Sequence, residues 1–270
     1  MIQYLYLGRL AYDEGLRLQA EIADLRLQGR VENVLLLLEH PPVLTLGRNA
    51  KRANVLASDE LLRDRGVTLH EINRGGDVTF HGPGQLVGYP IFDLRTLQKH
   101  DGGRLGPVDF VRMIEEALIR LCGVHGVRAG RIAGLTGVWC GLDISAGRKI
   151  GAIGIHVSRG ITSHGFAFNV TTDLSYFSLI NPCGITDRPV TSLENEVPDP
   201  VALPALESVA HEAARHFGLV FGQQILAVES LKVLRGQARD AARYPAEDTP
   251  LEVPAEVKRL HGDPNQPVRA

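Results

Sequence analysis

The sequence has few cysteines, no long apolar run and little net charge. Its three cysteines among 270 residues are too few and odd in number for a disulfide framework, which favours a reducing compartment. No stretch approaches the roughly 20 apolar residues that a membrane-spanning helix needs, and the first residues lack the pattern of a secretory signal. A formal net charge of −2 argues against a broad surface for nucleic acid or anionic lipid. These absences predict a cytoplasmic globular protein that binds neither nucleic acid nor membrane.

Hydrophobic spacing predicts helices and strands that do not alternate strictly. Apolar residues recur at helical spacing in three segments, residues 12–28, 107–123 and 203–217, and Ser58 can cap a further short helix. Because several predicted strands follow one another directly, the pattern favours an α+β fold, with a mixed β-sheet packed with helices. The strand-like runs are residues 33–39, 43–46, 131–140, 149–157 and 161–170.

Residues 74–85 hold four glycines and a proline, flanked by Arg74 and His81. This composition suits neither a helix nor a regular strand, because glycine permits positive φ and close backbone approach. The segment therefore either presents backbone N–H groups to a ligand or makes a tight turn between strands. It lacks the Gly-Lys-Ser/Thr ending of a phosphate-binding P-loop and the spacing of a dinucleotide fingerprint.

Two further residues stand out for their surroundings. Lys149 enters an apolar, glycine-dotted strand, where an ammonium is costly to bury unless it is paired; alternatively its side chain reaches along the strand end to water. Cys183 lies between proline and glycine, in an irregular turn, whereas Cys122 lies on the apolar side of a helix and Cys140 in a strand. Cys183 is thus the best candidate for a reactive thiol, and the other two are expected to be small buried side chains.

Two common kinds of enzyme site find little support in the sequence. No HxH, HExxH or CxxC spacing occurs among the histidines and cysteines, which include His40, His81 and His164, so no metal site is expected. No Gly-x-Ser-x-Gly elbow of a serine hydrolase is present.

Taken in order, these segments resemble the octanoyltransferase family of lipoate biosynthesis. The resemblance runs from residue 35 to about residue 184, and five motifs in sequence make it specific. The motifs are Leu35-Leu36-Leu37-Leu38-Glu39-His40-Pro41-Pro42, Arg74-Gly75-Gly76 with Thr79 and His81-Gly82-Pro83-Gly84-Gln85, Lys149-Ile150 with Ala152-Ile153-Gly154, His164-Gly165-Phe166-Ala167-Phe168-Asn169, and Asn181-Pro182-Cys183-Gly184.

The resemblance implies a catalytic domain like that of biotin and lipoate protein ligases, here residues 1–221, followed by a C-terminal extension, residues 222–270. It implies transfer of an octanoyl group from acyl carrier protein to a lysine of a lipoyl domain. The acceptors would be 2-oxoacid dehydrogenase E2 subunits and the glycine cleavage H protein. By similarity, Cys183 is the nucleophile that becomes an acyl-thioester and Lys149 is its partner. The implied acyl-site residues are Arg74, Gly75, Gly76, Asp77, Val78, Thr79, Phe80, His81, Ala152, Ile153, Gly154, Gly165, Phe166 and Ala167.

The chemistry is consistent with these roles. A free thiol with a pKa near 8.5 is only a few per cent thiolate at neutral pH. An ammonium about 4 Å away would favour the anion by up to about 4 kcal/mol at an effective dielectric constant of 20, while burial opposes it. Thioester exchange is nearly isoenergetic and amide formation runs downhill, so no cofactor is expected; the acyl group arrives on the phosphopantetheine of the carrier protein. Backbone N–H groups of Gly75, Gly76 or Gly154 are candidate oxyanion donors.

Three alternatives remain open at this point. An ATP-dependent lipoate or biotin protein ligase of the same fold would use a lysine and an adenylate and would not need Cys183. A non-catalytic protein would bind carrier proteins or lipoyl domains without turning them over. A thioester hydrolase would release free octanoate without an acceptor. After about residue 241 the chain carries five prolines among scattered charges, and this tail is expected to wrap the surface or to be partly disordered.

Overall fold

The computed structural model describes residues 1–99, 102–141, 147–181, 188–200 and 203–243, with the backbone alone for residues 241–243. The strands are β1 (Ile2–Arg9), β2 (Asn33–Glu39), β3 (Val43–Leu46), β4 (Thr68–Glu71), β5 (Val78–His81), β6 (Gln85–Ile91), β7 (Ala129–Ile132), β8 (Leu135–Cys140), β9 (Arg148–Ser158), β10 (Ile161–Asn169) and β11 (Ile225–Ala227). The helices are α1 (Tyr12–Leu27), α2 (Asp59–Asp64), α3 (Pro107–Val124), α4 (Leu193–Glu196), α5 (Leu206–Phe221) and α6 (Leu231–Arg243).

The three long predicted helices and the capped helix are present. Ser58 accepts a hydrogen bond from the backbone N–H of Leu61, as expected of an N-cap, and proline begins α3. Two predictions were wrong in detail. Residues 131–140 are not one strand, because a turn at Gly134, with φ of +78°, separates β7 from β8. Residues 74–85 are not irregular throughout, because β5 forms within them.

The fold is α+β with mixed sheets, as predicted. The large sheet has eight strands in the order β11-β1-β2-β6-β10-β9-β8-β7. Its β11, β1 and β2 run parallel, and every other neighbouring pair is antiparallel. In the smaller sheet β3 lies between β4, which is parallel to it, and β5, which is antiparallel.

The apolar run of β2 is explained by burial on both faces of the large sheet. Leu35 and Leu37 join the core formed with α3 and α5, whereas Leu36 and Leu38 join the core formed with α1. A strand that is covered on both faces needs apolar side chains at every position. The run therefore marks a central strand of the sheet.

The chain after α5 is part of the same packing. β11 pairs with β1, and Leu234 and Ala238 of α6 are fully buried against the α1 side of the sheet. Arg235 of α6 forms a two-point ion pair with Glu21 of α1, at 2.7 Å for each bond. The predicted domain boundary at residue 221 thus falls at the end of α5, directly before this strand and helix. None of the helices in the described ranges is long and apolar enough to cross a membrane.

Candidate active site

A cavity of about 230 Å³ lies over one face of the large sheet. It is bounded by β6, β9 and β10 on the sheet side, and by the first residue of α1 and by residues 74–81 opposite. The lining residues are Tyr12, Arg74, Gly75, Gly76, Asp77, Val78, Thr79, His81, Val87, Tyr89, Gly134, Leu135, Thr136, Lys149, Ala152, Ile153, Gly154, His164, Gly165, Phe166 and Ala167. Thirteen of the fourteen implied acyl-site residues are among them, as is Lys149.

Cross-strand pairs give the cavity floor its shape. Ala152 of β9 faces Ala167 of β10, which in turn faces Val87 of β6. Two residues further along β9, Gly154 faces Gly165. Because side chains alternate along a strand, these positions share one face of the sheet. The small side chains of Ala152 and Ala167 leave an apolar channel, whereas backbone oxygens lie close over Gly154 and Gly165.

The glycine-rich segment closes one side of the channel. Its Arg74 is buried and donates to the backbone oxygen of Thr45 at 2.8 Å, so its guanidinium is held in place. A Cβ on Gly154 would lie 2.6 Å from the Gly75 oxygen, so only glycine permits this close approach. The Gly75 N–H donates to the Ile155 oxygen at 3.0 Å. This removes Gly75 from the candidate oxyanion donors.

The structure describes all the implied acyl-site residues, and among them Phe80 alone does not line the cavity. Its ring stacks on Tyr176 with centroids 4.7 Å apart and meets Phe177 edge-on. Phe80 is fully buried in a separate apolar cluster with β3 and α2. Its place in the sequence motif is explained by packing behind the cavity wall.

Lys149 lies at the start of β9, with its ammonium over the ring of Trp139 on β8, 4.7 Å from the centroid. An ammonium over an indole face is stabilised by the ring quadrupole. The backbone of Lys149 is held on its other edge, since its N–H donates to the Pro189 oxygen and its oxygen accepts from the Thr191 N–H, both at 2.9 Å. The Lys149 side chain is partly exposed. Its backbone N–H and oxygen are both held by hydrogen bonds.

Cys183 falls within residues 182–187, which lie outside the described residues. The described residues on either side of this range are linked to cavity-lining residues by hydrogen bonds. On one side, the Asn181 N–H donates to the Asn54 oxygen at 2.7 Å, and the Asn54 side chain donates to Asp77 at 2.6 Å. On the other side, Pro189 bonds to Lys149.

The other two cysteines are buried within the core, as predicted. Cys122 and Cys140 each have no measurable exposure. Burial raises the pKa of the Cys140 thiol to about 12 and raises that of Cys122 further. Burial therefore disfavours the thiolate form of both, which makes each a poor candidate for the nucleophile.

A group of aromatic and imidazole rings beside the cavity was not anticipated from the sequence. His40 donates from Nδ1 to the Leu10 oxygen at 2.6 Å, and its Nε2 accepts from the Tyr89 hydroxyl at 2.7 Å. Tyr12 meets His40 and stacks on His81. Burial is the main cause that lowers the pKa of His40 to about 4 and keeps the pKa of Tyr89 well above its usual value. Both side chains are uncharged at neutral pH.

His164 lies in the left-handed region, with φ of +56°, which is uncommon for a residue with a side chain. Its backbone N–H donates to Gln19 of α1, and its Nε2 donates to the Asn73 side-chain oxygen, both at 2.7 Å. Burial and the nearby Arg74 lower the pKa of His164 to about 4. This unusual conformation is thus held by hydrogen bonds to α1 and to the residue before Arg74.

A chain of side-chain hydrogen bonds connects His81 to the segment after residue 187. His81 bonds to Gln85, Gln85 bonds to Asn169, and Asn169 bonds to the Thr191 oxygen, at 2.8, 2.9 and 2.9 Å. All four residues are nearly or fully buried. Within the described residues no three His, Cys, Asp or Glu side chains are grouped to hold a metal ion.

Comparison with known proteins identifies the family. Residues 11–217 match the lipoyl protein ligase A/B catalytic domain. The chain is 61% identical over 233 residues to the octanoyltransferase of Acidobacterium capsulatum, covering 85% of this chain and 94% of that one. It is 52% identical over 263 residues to the octanoyltransferase of Koribacter versatilis, covering 97% and 98%.

Solved structures agree on the fold. A lipoate protein ligase of the archaeal bipartite system of Thermoplasma acidophilum superimposes with a TM-score of 0.65, covering 89% of this chain and 92% of that one at 16% identity. A lipoate-protein ligase A bound with ATP gives a TM-score of 0.66 at 17% identity, covering 89% and 94%. The chain therefore belongs to the octanoyltransferases within the lipoyl protein ligase A/B family, and it is an acyltransferase.

Proposed function

We propose that this enzyme moves an octanoyl group from octanoyl-acyl carrier protein to a lysine of a lipoyl domain, through a thioester on Cys183. The acceptors are the lipoyl domains of 2-oxoacid dehydrogenase E2 subunits and the glycine cleavage H protein. The observation that carries the proposal is the position of Lys149, a cation at the wall of a small, mainly apolar cavity in an octanoyltransferase fold.

In the first half-reaction the Cys183 thiolate attacks the carbonyl carbon of the carrier thioester. The bond between that carbon and the phosphopantetheine sulfur breaks, and the departing sulfur takes a proton from the Lys149 ammonium. Cys183 then carries the octanoyl group, and Lys149 is a neutral amine. No cofactor takes part, because one thioester is exchanged for another.

In the second half-reaction the neutral amine of the acceptor lysine attacks the same carbonyl carbon. The bond to the Cys183 sulfur breaks, its electron pair returns to the sulfur, and Lys149 takes the proton that the attacking nitrogen loses. The product is an amide, and the original thiolate and ammonium are restored. The two half-reactions share one site, so ping-pong kinetics are expected.

The geometry supports a shared site. Pro189, six residues after Cys183 in sequence, bonds directly to the Lys149 backbone, and Asn181, two residues before it, bonds to Asn54 beside Asp77. The apolar floor of Ala152, Ala167 and Val87 suits an alkyl chain, since each buried methylene contributes about 0.8 kcal/mol. The buried Cys122 and Cys140 leave no competing nucleophile among the described cysteines.

The decisive test is intact-mass analysis after mixing the protein with octanoyl-acyl carrier protein, without ATP. We expect one octanoyl adduct on the wild type and none on Cys183→Ala. Cys140→Ala and Cys122→Ala serve as matched controls and should retain the adduct. Adding a lipoyl domain should then discharge it onto the acceptor lysine.

Four outcomes would contradict the proposal. An adduct on Cys183→Ala would place the acyl group elsewhere, and activity that depends on ATP would indicate a ligase. Release of free octanoate without an acceptor, as the main product, would indicate a hydrolase. Binding of the carrier protein with neither adduct nor product would indicate a non-catalytic protein.

A further inference from the structure

The orientation of the Asn169 and Gln85 amides is fixed by a backbone carbonyl. The Thr191 oxygen can only accept, so the Asn169 group facing it is Nδ2, which donates at 2.9 Å. The Asn169 oxygen is thereby turned toward Gln85, whose Nε2 donates to it at 2.9 Å and to the Phe80 oxygen at 3.1 Å. Amide orientations are assigned from such hydrogen-bond networks. Here each amide has only one orientation in which its N–H groups meet acceptors.

The last step assigns the proton on His81. The Gln85 group that faces His81 is the oxygen Oε1, 2.8 Å from Nδ1, and it can only accept. Nδ1 therefore carries the proton, and in the neutral ring Nε2 bears a lone pair. His81 lines the cavity that Lys149 also lines, and no hydrogen bond to its Nε2 is formed within the described residues.

The groups around His81 keep its ring neutral. Burial is the largest cause that lowers the pKa of His81 to about 3, and His40, Arg74 and His164 lower it further, whereas the bond to Gln85 acts in the opposite direction. The ring stacked on it belongs to Tyr12, whose own pKa is raised by burial. At neutral pH, His81 is thus a hydrogen-bond acceptor at Nε2 and a donor only at Nδ1.

We propose that Gln85 and Asn169 are positioning residues which hold His81 in this tautomer, so that its Nε2 accepts a hydrogen bond from the N–H of the incoming acceptor lysine. This inference rests on the proposed function. An acceptor can hold the attacking amine with its lone pair directed to the thioester carbon, but it cannot stabilise an oxyanion. The contribution of His81 therefore belongs to the second half-reaction.

Comparison of Gln85→Leu with Gln85→Glu separates the effect of the His81 tautomer from the effect of lost side-chain packing. Gln85→Leu removes the acceptor for Nδ1, which frees the ring proton to move to Nε2. Gln85→Glu keeps an acceptor for Nδ1, loses the N–H donor to the Phe80 and Asn169 oxygens, and adds a negative charge, which raises the pKa of His81. Gln3→Leu is the matched control, because Gln3 is another buried glutamine, which bonds to Gln237 of α6 and does not line the cavity.

Nitrogen NMR of protein with ¹⁵N-labelled histidine reports the tautomer directly, with the His81 signals identified by their loss in His81→Asn. We expect the Nδ1–H form in the wild type, in Gln3→Leu and, at pH 8, in Gln85→Glu. A mixture containing the Nε2–H form is expected in Gln85→Leu. Nε2–H in the wild type would overturn the inference whatever the activity.

Single-turnover measurements then locate the effect. Loading of Cys183 from octanoyl-acyl carrier protein should change less than threefold in Gln85→Leu, whereas discharge to a lipoyl domain should slow about 10- to 100-fold, the range for one lost hydrogen bond. Discharge by Gln85→Glu should be near the wild-type rate at pH 8 and fall as pH decreases, as His81 becomes charged and loses its acceptor.

Failure of this inference is distinguishable from failure of the proposed function. If Cys183 loads in all variants but discharge is equally fast in Gln85→Leu, the role of His81 is refuted and the thioester mechanism stands. If loading rather than discharge is slowed, His81 acts as a donor to the oxyanion and the inference is wrong. If the wild type never loads, the proposed function fails while the tautomer measurement remains valid.

Discussion

Two kinds of nitrogen base lie in or beside the cavity, and their surroundings favour opposite charge states. Lys149 is partly exposed and lies over the Trp139 ring, which favours its cation. His40, His81 and His164 are buried, and each has a pKa lowered to about 3 or 4. The side chain that is normally charged is placed where charge is tolerated, whereas the side chains that titrate near neutral pH are held uncharged.

This difference indicates a division of labour. Proton transfer needs a group that changes its charge during the reaction, and in the proposed mechanism only Lys149 does so. Hydrogen bonding that orients a substrate is best done by groups whose protonation does not change. The fixed tautomer of His81, bonded to Gln85, fits this second role, whereas both ring nitrogens of His40 are used within the protein, by the Leu10 carbonyl and the Tyr89 hydroxyl.

The largest expected effect comes from separating the charge of Lys149 from its basicity. Lys149→Arg keeps a cation over Trp139 but provides no lone pair, since arginine does not deprotonate. Discharge of the acyl-enzyme should slow by about 10²- to 10⁴-fold, the usual range for loss of a general base. The measurement is single-turnover transfer from loaded enzyme to a lipoyl domain.

The control is Lys149→Ala, which removes both properties. It should also shift alkylation of Cys183 by iodoacetamide to higher pH, while Lys149→Arg should leave that profile near the wild type. Equal alkylation profiles in all three proteins would remove the electrostatic role of Lys149.

The second expected effect concerns the buried histidines and acid stability. Their folded pKa values lie below the unfolded value near 6.5, so the unfolded chain binds more protons between about pH 4 and 6.5. Stability is fully present above pH 6.5 and is lost as pH falls through this window, by about 3 kcal/mol for a single shift such as that of His40. Urea unfolding at pH 7.5, 6 and 5 measures the loss.

His40→Gln tests the origin of this slope. It should lower stability at pH 7.5, because the bonds to Leu10 and Tyr89 are altered, and it should make the decline with acid shallower. A decline as steep as that of the wild type would show that His40 is not one of the groups responsible.

The smallest expected effect concerns the apolar floor between the lysine and the histidines. Ala152→Leu adds three carbon atoms to the channel and should displace a similar length of acyl chain. Octanoyl loading should weaken by about 2 kcal/mol, about 30-fold, at roughly 0.8 kcal/mol per methylene. Competition between hexanoyl and octanoyl carrier protein measures the shift, with the exposed Ala227→Leu on β11 as a control. An unchanged preference would place the acyl chain elsewhere.

Much of the fold was predictable because local patterns agree with tertiary burial. The apolar run of β2 and the proline-led α3 are confirmed in place. β1 was missed because its burial does not alternate: Ile2, Gln3 and Leu5 are buried, whereas Tyr4, Tyr6 and Leu7 are only partly buried. The hairpin at Gly134 was missed because one glycine within an apolar segment does not reveal a turn.

The site was predictable only as far as sequence motifs extend. Lys149 and the glycine-rich segment were identified, and the structure brings them to one cavity. The polar networks were not, because they join residues far apart in sequence: His40 meets Tyr89 across 49 positions, and Gln85 meets Asn169 across 84. No local pattern encodes such pairs. Cys183 remains a prediction, since it lies outside the described residues.

The facing pairs Ala152–Ala167 and Gly154–Gly165 have a consequence for protein engineering. Each pair sets the width of the channel at one level along the strands. Neither pair includes a group that transfers protons. A Cβ on Gly154 would meet the Gly75 oxygen and one on Gly165 would meet the Gly88 oxygen, so only the alanine pair can be varied. A small library at Ala152 and Ala167 would thus explore acyl-chain selectivity while the reacting groups stay the same. If the proposed reaction holds, such variants would transfer non-natural acyl labels to lipoyl domains.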